Sequence, residues 1–322
     1  MMNVGIIGSG FIVPVFLSAS KMFKEYHVVG IWGRHVEKLK NFENDVEYYT
    51  TDLNRLLNDK KIDVVYVALP NALHYEYAMK ALKAGKHVIL EKPFTVYYKD
   101  TKKLIDYAKK NKLIIFEAIV TKHNPEYKKM VKLVDKIGDI KIVTANFSQY
   151  SRRYDRFKKG EILPVFDKKM AGGALLDLNV YNIHFVVGMF GKPKKVYYYP
   201  NIEKGVDTSG VLILDYGKFK CNLVAAKDCK AEAFALIQGD KGYLRCNTTT
   251  SRCGSYTLMM NDGKVKQEDI DDTEFGGWKY ELKEFLNLYK KKDLKMAYKY
   301  NETTLLVSDV LDKAIKFANL NY

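Results

Sequence analysis

The stretch His87-Val-Ile-Leu-Glu-Lys-Pro-Phe94 puts a lysine where chemistry is possible. Three aliphatic residues in a row predict a short strand buried in a parallel sheet. Pro93 has no N–H to donate, so the strand is expected to stop there. Lys92 then stands at the carboxyl end of a parallel strand, where open α/β sheets place their ligands. A partly desolvated ammonium on stiff backbone can polarise a substrate oxygen or shuttle a proton. The same spacing also suits a plain surface lysine beside Glu91. The motif alone leaves both readings open, and it leaves the isomer of the Lys92–Pro93 bond open too.

A second stretch runs from Gly172-Gly-Ala-Leu-Leu-Asp177 through Tyr181 to His184. The glycine pair suits a helix start that another backbone or a ligand approaches closely. At about 100° per residue, Asp177, Tyr181 and His184 share roughly a 60° arc of one helix face. Polar groups on a face otherwise made for Leu and Val need partners or a water-lined cleft. A satisfied structural network is the other reading. Arg152, Arg153 and Arg156 precede this helix in a basic loop. They suit a solvated loop or a contact with an anionic substrate.

A third stretch opens the chain. Asn3-Val-Gly-Ile-Ile7 reads as a small apolar strand, Gly8-Ser-Gly10 as a turn, and Pro14 as the first turn of a helix. Strand, glycine turn and helix form the setting of a dinucleotide fingerprint. Gly8 permits the tight turn, and Gly10 lets backbone approach a pyrophosphate at the helix N-terminus. The third small position is Val13, a departure from the usual Gly or Ala. After the second strand (His27–Trp32), where an NAD binder usually carries an acid, stand Gly33 and Arg34, with His35 and Lys38 nearby. Arginine can grip a 2′-phosphate, which favours NADP over NAD. Glu37, slightly further on, is the acid that would reverse this preference.

These residues need a scaffold, and the chain spells one out. Strand-like and helix-like segments alternate at short spacing up to about residue 119, with Ile62–Leu69 as a fully buried strand. That alternation predicts a doubly wound parallel sheet. Beyond it come a helix from Pro125, a period-two segment from Ile140 to Tyr150, and the helix from Ala174 to Met189. Strand-like segments follow at 195–199, 210–216, 219–226, 232–238 and 242–245, then closing helices at 279–291 and 302–318. Runs of strands after one helix predict a mixed or antiparallel sheet. The expectation is an α/β chain of two domains, residues 1–119 and 120–322, closely packed with a cleft between them.

Length agrees with two domains: 322 residues. With 47% hydrophobic and 28% charged residues the composition is that of a globular protein. The apolar runs look too short to span a bilayer and no leader opens the chain, so a cytoplasmic protein is expected. The net charge of +15 raises nucleic-acid binding. The excess, however, is lysine scattered as pairs, without a basic block interleaved with aromatics. Cys221, Cys229, Cys246 and Cys253 form no C-x-x-C pair, and the histidines show no metal spacing. Free thiols and no metal are expected.

Four segments carry a family resemblance: Gly5-Ile-Ile-Gly-Ser-Gly10, Ala68-Leu-Pro-Asn-Ala-Leu-His74, Ala84-Gly-Lys-His-Val-Ile-Leu-Glu-Lys-Pro93 and Gly172-Gly-Ala-Leu-Leu-Asp177. Their order and spacing resemble the family of glucose–fructose oxidoreductase, inositol dehydrogenase and rhizopine catabolism (Gfo/Idh/MocA). The resemblance spans nearly the whole chain. It implies a Rossmann domain, then an α+β domain with a large open, mostly antiparallel sheet that often forms a dimer. It implies hydride transfer between NAD(P) and a sugar, cyclitol or related alcohol or carbonyl. On this footing Lys92 is the catalytic lysine and Asp177 its polar partner, orienting substrate or lysine. Tyr181 replaces the histidine of many members and is similar to the dihydrodiol and xylose dehydrogenase branch, which prefers NADP. Asn179 stands in place of a usual Gly, and Lys122 in place of a frequent Arg.

The implied cofactor set is Gly8, Ser9, Gly10, Phe11 and Ile12, then Gly33 and Arg34, then Leu69, Pro70, Asn71 and His74, and finally Glu91 and Lys92. Tyr181 is expected to accept the substrate proton while Lys92 stabilises the alkoxide. Expected partners are a small polyol or carbonyl substrate and a second copy of the chain, with no nucleic acid and no membrane. A non-catalytic NADP-binding regulator of the same fold is the competing expectation.

Overall fold

The computed structural model describes residues 1–269 and 277–322. Cα packing divides the chain into two compact units. The first holds Met1–Thr95, Lys99–Ala118 and Trp278–Leu305; the second holds Val96–Tyr98, Ile119–Gly277 and Leu306–Tyr322.

In chain order the first unit contains β1 (Met2–Ile7), α1 (Ile12–Ser20), β2 (Tyr26–Trp32), α2 (Val36–Leu39), β3 (Tyr48–Thr50), α3 (Leu53–Leu57), β4 (Val64–Val67), α4 (His74–Lys83), β5 (His87–Glu91), α5 (Tyr98–Lys110) and β6 (Ile115–Ala118). Its six strands lie in the order β3-β2-β1-β4-β5-β6, all parallel. That is the strand order of dinucleotide-binding sheets, with its reversal between β1 and β4. β4 reads Val-Val-Tyr-Val and is buried on both faces, as a central parallel strand must be. α5 buries Thr101, Leu104, Ile105 and Ala108. This is the stripe a 3.6-residue period predicts, and each large side chain in it contributes about 1.5–3 kcal/mol.

The second unit contains α6 (Pro125–Leu133), β7 (Ile140–Ser148), α7 (Tyr154–Lys158), α8 (Val180–Phe190) and seven more strands. These are β8 (Lys195–Glu203), β9 (Val206–Asp215), β10 (Lys220–Ala226), β11 (Phe234–Gly239), β12 (Gly242–Cys246), β13 (Ser255–Met260) and β14 (Val265–Asp269). The sheet order is β14-β13-β12-β11-β7-β10-β9-β8, antiparallel except for the parallel β7–β10 pair. One sheet face packs Val143, Leu212, Leu223, Ile237 and Leu244 into a core with Ile183, Val187 and Val310. Two helices close the chain, α9 (Trp278–Lys291) and α10 (Leu294–Phe317).

The structure differs from the sequence expectation in three places. α9 belongs to the first unit, not to a second domain beginning at residue 120. The Phe285 ring meets the Phe116 ring edge-on at 3.8 Å, and the Tyr26 hydroxyl donates to the Leu282 carbonyl at 2.7 Å. A cut by chain order cannot see a helix that returns. β13 and β14 were not expected at all. Finally, the helix from Ala174 starts with a π-helical turn, Leu175–Asn179, before α8. By length and composition the stretch Lys168–Phe190 could cross a membrane, but 67% of its apolar window is buried within the protein. It is the core helix of the second unit.

Candidate active site

In the first unit the expected residues gather at the carboxyl edge of the parallel sheet. Gly8 ends β1 with φ +127°. A Cβ there would lie 2.2 Å from the Ala68 carbonyl oxygen, just past the end of β4. Only glycine fits that approach. Gly10 differs: a Cβ there would meet nothing within 4 Å. The space over the turn is open, and α1 begins behind it without a side-chain cap. The Val13 N–H already donates to the Gly10 carbonyl at 3.1 Å and Pro14 has none to give, so what the helix start offers an anion is chiefly the positive end of its dipole. Ser9, Gly10, Phe11 and Pro14 line a groove with Lys38 and Phe42. Phe11 is exposed and Ile12 half-buried. Gly33 is buried, and a Cβ on it would press on Leu39. Arg34 is exposed, and among the described residues no carboxylate pairs with it. Glu37 pairs with Lys40 at 3.4 Å. An open glycine turn, an uncapped helix and an exposed guanidinium together fit a phosphorylated dinucleotide.

Lys92 is half-buried directly after β5, and its bond to Pro93 is cis. The backbone around it is tied down. The Lys92 N–H donates to Glu91 Oε2 at 3.2 Å and the Phe94 N–H to Glu117 Oε1 at 3.2 Å. The Thr304 hydroxyl donates to Glu117 Oε2 at 2.7 Å. The Glu91 carboxyl is buried and receives the Tyr66 hydroxyl at 2.6 Å. Burial raises its pKa above the ordinary carboxylate value, against the lowering pull of Tyr66 and the Lys92 charge.

Leu69, Pro70 and Asn71 are half-buried on the loop after β4. His74 was expected among the cofactor contacts, but the structure puts it behind that loop, fully buried. Nδ1 lies 2.8 Å from the Pro93 carbonyl and Nε2 2.8 Å from the Leu69 carbonyl. Both ring nitrogens are committed to the chain itself, and the imidazole ties the end of β4 to the turn after Lys92. Burial holds its pKa below the ordinary histidine value, against the opposing pull of the two carbonyls.

In the second unit Asp177 lies on the π-helical turn and Tyr181 in the first turn of α8, both half-buried. His184 is 1% exposed. The wider π turn does not keep the phase of an α-helix. The predicted face divides: Asp177 and Tyr181 stay at the surface and His184 turns into the core. Tyr181 packs against the Phe147 ring of β7 at 5.9 Å. Asp177 accepts from the Lys227 ammonium at 2.7 Å, a partner the sequence reading missed. Lys227 immediately follows a predicted strand, the same signal that singled out Lys92. Asp207, also missed, is fully buried and accepts from the Leu175 N–H at 2.7 Å, at the start of the π-helical turn. Asn179 is fully buried and bonds the Leu223 carbonyl and Asn182.

Comparison with known proteins points the same way. The model of an oxidoreductase family with an NAD-binding Rossmann fold (GFO_IDH_MocA) matches residues 2–119, and that of the GFO/IDH/MocA C-terminal domain matches residues 127–245. The chain is 32% identical to the scyllo-inositol 2-dehydrogenase (NADP(+)) of Bacillus subtilis, over 100% of this chain and 98% of that one. It is 30% identical to the trans-1,2-dihydrobenzene-1,2-diol dehydrogenase of Xenopus tropicalis, over 84% and 81% of the two chains. The 3-ketoreductase KijD10 of Actinomadura kijaniata, solved with NADP and TDP-benzene, superposes with a TM-score of 0.86 at 22% identity, covering 98% and 97%. At that identity the superposition speaks for the fold alone.

Proposed function

The chain belongs to the GFO/IDH/MocA oxidoreductase family, and we propose that it is an NADP-dependent dehydrogenase of a cyclitol, sugar or dihydrodiol. The observation that carries this reading is the end of β5. There Lys92 stands at the carboxyl edge of a sheet in dinucleotide-binding order, in the same unit as a glycine turn with open space above it. The names of the two relatives support a polyol or diol as substrate.

A bound nicotinamide supplies the hydride acceptor. The chain's own residues do the rest. The Gly8–Gly10 turn and the start of α1 receive the pyrophosphate, and Arg34 with Lys38 receives the 2′-phosphate. In the roles the family resemblance implies, Tyr181 as its phenolate would accept the substrate hydroxyl proton, and the Lys92 ammonium would stabilise the alkoxide that develops. Asp177 accepts a hydrogen bond from a substrate hydroxyl. An absorbance screen for the reduced cofactor, with NADP and NAD against cyclitols, sugars and dihydrodiols, tests the reading. Turnover with NADP is expected. Cofactor binding without turnover of any of them would favour a regulator instead.

Arg34→Ala is expected to weaken NADP binding about tenfold to a hundredfold, the scale of charge-assisted hydrogen bonds to a phosphate. NAD binding should barely change. Fluorescence titration with each cofactor checks this; an equal loss for both would place the 2′-phosphate elsewhere.

The second-unit sheet has an open face. Tyr199, Val211, Val224, Asn146 and Phe234 stand side by side across five strands. Tyr199 is 59% exposed, Val211 36% and nearby Ile142 49%. This face supports a homodimer, each copy covering the other's apolar row. Val211→Glu places like charges together across a two-fold axis, so the dimer should dissociate at least about tenfold more readily. Sedimentation velocity reads it, and an unchanged distribution would rule this face out. The four cysteines are free, three of them buried, which supports a reducing, cytoplasmic setting.

A further inference from the structure

Asp177 shares its carboxylate with a lysine that is held from every side. Lys227 directly follows β10. Its N–H donates to the Thr208 carbonyl at 2.7 Å, and its own carbonyl accepts from the Ser151 N–H at 2.9 Å. The side chain is 3% exposed. Its ammonium donates to Asp177 Oδ2 at 2.7 Å and to the Val165 carbonyl at 2.9 Å. It also lies over the Phe166 ring, 4.8 Å from the centroid. An ammonium has three N–H donors. A carboxylate and a carbonyl take two of them, and the Phe166 ring lies beside the ammonium. At 3% exposure Lys227 presents almost no surface to a substrate, so its effect passes through what it holds.

What it holds is the start of the active-site helix. The same Val165 carbonyl accepts from the Gly173 N–H at 3.1 Å. Gly172 sits so close that a Cβ on it would be 2.6 Å from the Pro164 carbonyl oxygen. Asp207 caps Leu175 from the other side and also accepts from the Tyr198 hydroxyl at 2.8 Å. The turn and the Asp177 carboxylate thus meet at one ammonium, while Asp207 caps the helix independently. Asp177, by contrast, remains 29% exposed. An exposed aspartate without such an anchor would sample several rotamers and approach a substrate hydroxyl at an entropic cost. With Oδ2 bonded to a nearly buried cation, the carboxylate is held in one orientation.

We propose that Lys227 is a positioning residue for substrate: by holding Oδ2 of Asp177 it presents that carboxylate to a hydroxyl of the polyol. The inference rests on the reading of Asp177 as a substrate contact. The test uses scyllo-inositol, or whichever screened polyol the wild-type enzyme oxidises fastest, with NADP. In Lys227→Gln, KM for the polyol is expected to rise about tenfold, the scale of one hydrogen bond to a charged group. Turnover number and NADP affinity should stay near wild type. Lys227→Arg, which keeps the charge, should recover part of the KM. The double variant Lys227→Gln with Asp177→Asn should show the KM of Asp177→Asn alone, because Lys227 acts only through Asp177.

Thermal melts accompany each variant. If Lys227→Gln does not fold, the double variant, in which no buried charge is left unpaired, and Lys227→Arg carry the test. An unchanged KM in folded Lys227→Gln, beside a raised KM in Asp177→Asn, would assign Lys227 to stability alone and overturn the proposal. A double variant worse than Asp177→Asn would also overturn it. If Asp177→Asn itself leaves KM unchanged, the reading of Asp177 fails, and the proposal falls with it.

Discussion

Replacing Lys92 with alanine should lower turnover about 10²–10⁴-fold, the range for losing a general acid–base or alkoxide-stabilising group. NADP affinity should stay close to wild type. The two effects separate because the structure separates their causes. The groups proposed to receive the phosphates are the glycine turn, the start of α1 and Arg34, none of which depends on the Lys92 side chain. The backbone at Lys92 is fixed independently, by Glu91, by Glu117 and through His74 by the Pro93 carbonyl. Truncation therefore removes an ammonium without releasing the turn that carried it. It also takes from Glu91 one of the charges that hold its pKa down. Steady-state kinetics with a fluorescence titration of NADP measures both quantities. Turnover at the wild-type rate would remove Lys92 from the reaction.

What the sequence made legible was whatever depends on short-range pattern. β1 with its glycine turn, β4 and β5 are runs of three to six apolar residues with a Gly or Pro at or shortly after their end, and the structure puts each in the parallel sheet. Residues that act over longer range were less visible. His74 is expected near the nicotinamide from its place in the family motif, and only the fold shows that its ring also bridges the Leu69 and Pro93 carbonyls. The π turn at Leu175–Asn179 carries no compositional mark, so an even 100° wheel drew His184 onto the same face as Asp177. Lys227 lies 50 residues from Asp177 in sequence, and no local pattern joins them. β13 has hydroxyl and sulfur side chains where aliphatics were sought, and β14 reads Val-Lys-Gln-Glu-Asp. Edge strands are often that polar, since their outer backbone faces solvent.

The contrast between the two glycines of the first turn gives the other large effect. Gly8→Ala should cost about 3–5 kcal/mol of stability, from a non-glycine residue at positive φ together with an overpacked contact. The contact is backbone against backbone: the new Cβ would lie 2.2 Å from the Ala68 oxygen and 2.9 Å from the Ala68 carbonyl carbon. Neither can move without pulling β4 away from β1, where the Ala68 N–H already donates to the Ile7 carbonyl at 2.9 Å. Gly10→Ala meets no such obstacle, and its melting temperature should stay near wild type. Its methyl would instead fill the space over the turn, so NADP affinity should fall while the fold survives. Thermal melts paired with NADP titrations separate the two variants. If Gly10→Ala binds NADP as tightly as the wild type, the pyrophosphate does not lie over this turn, whatever becomes of Gly8→Ala.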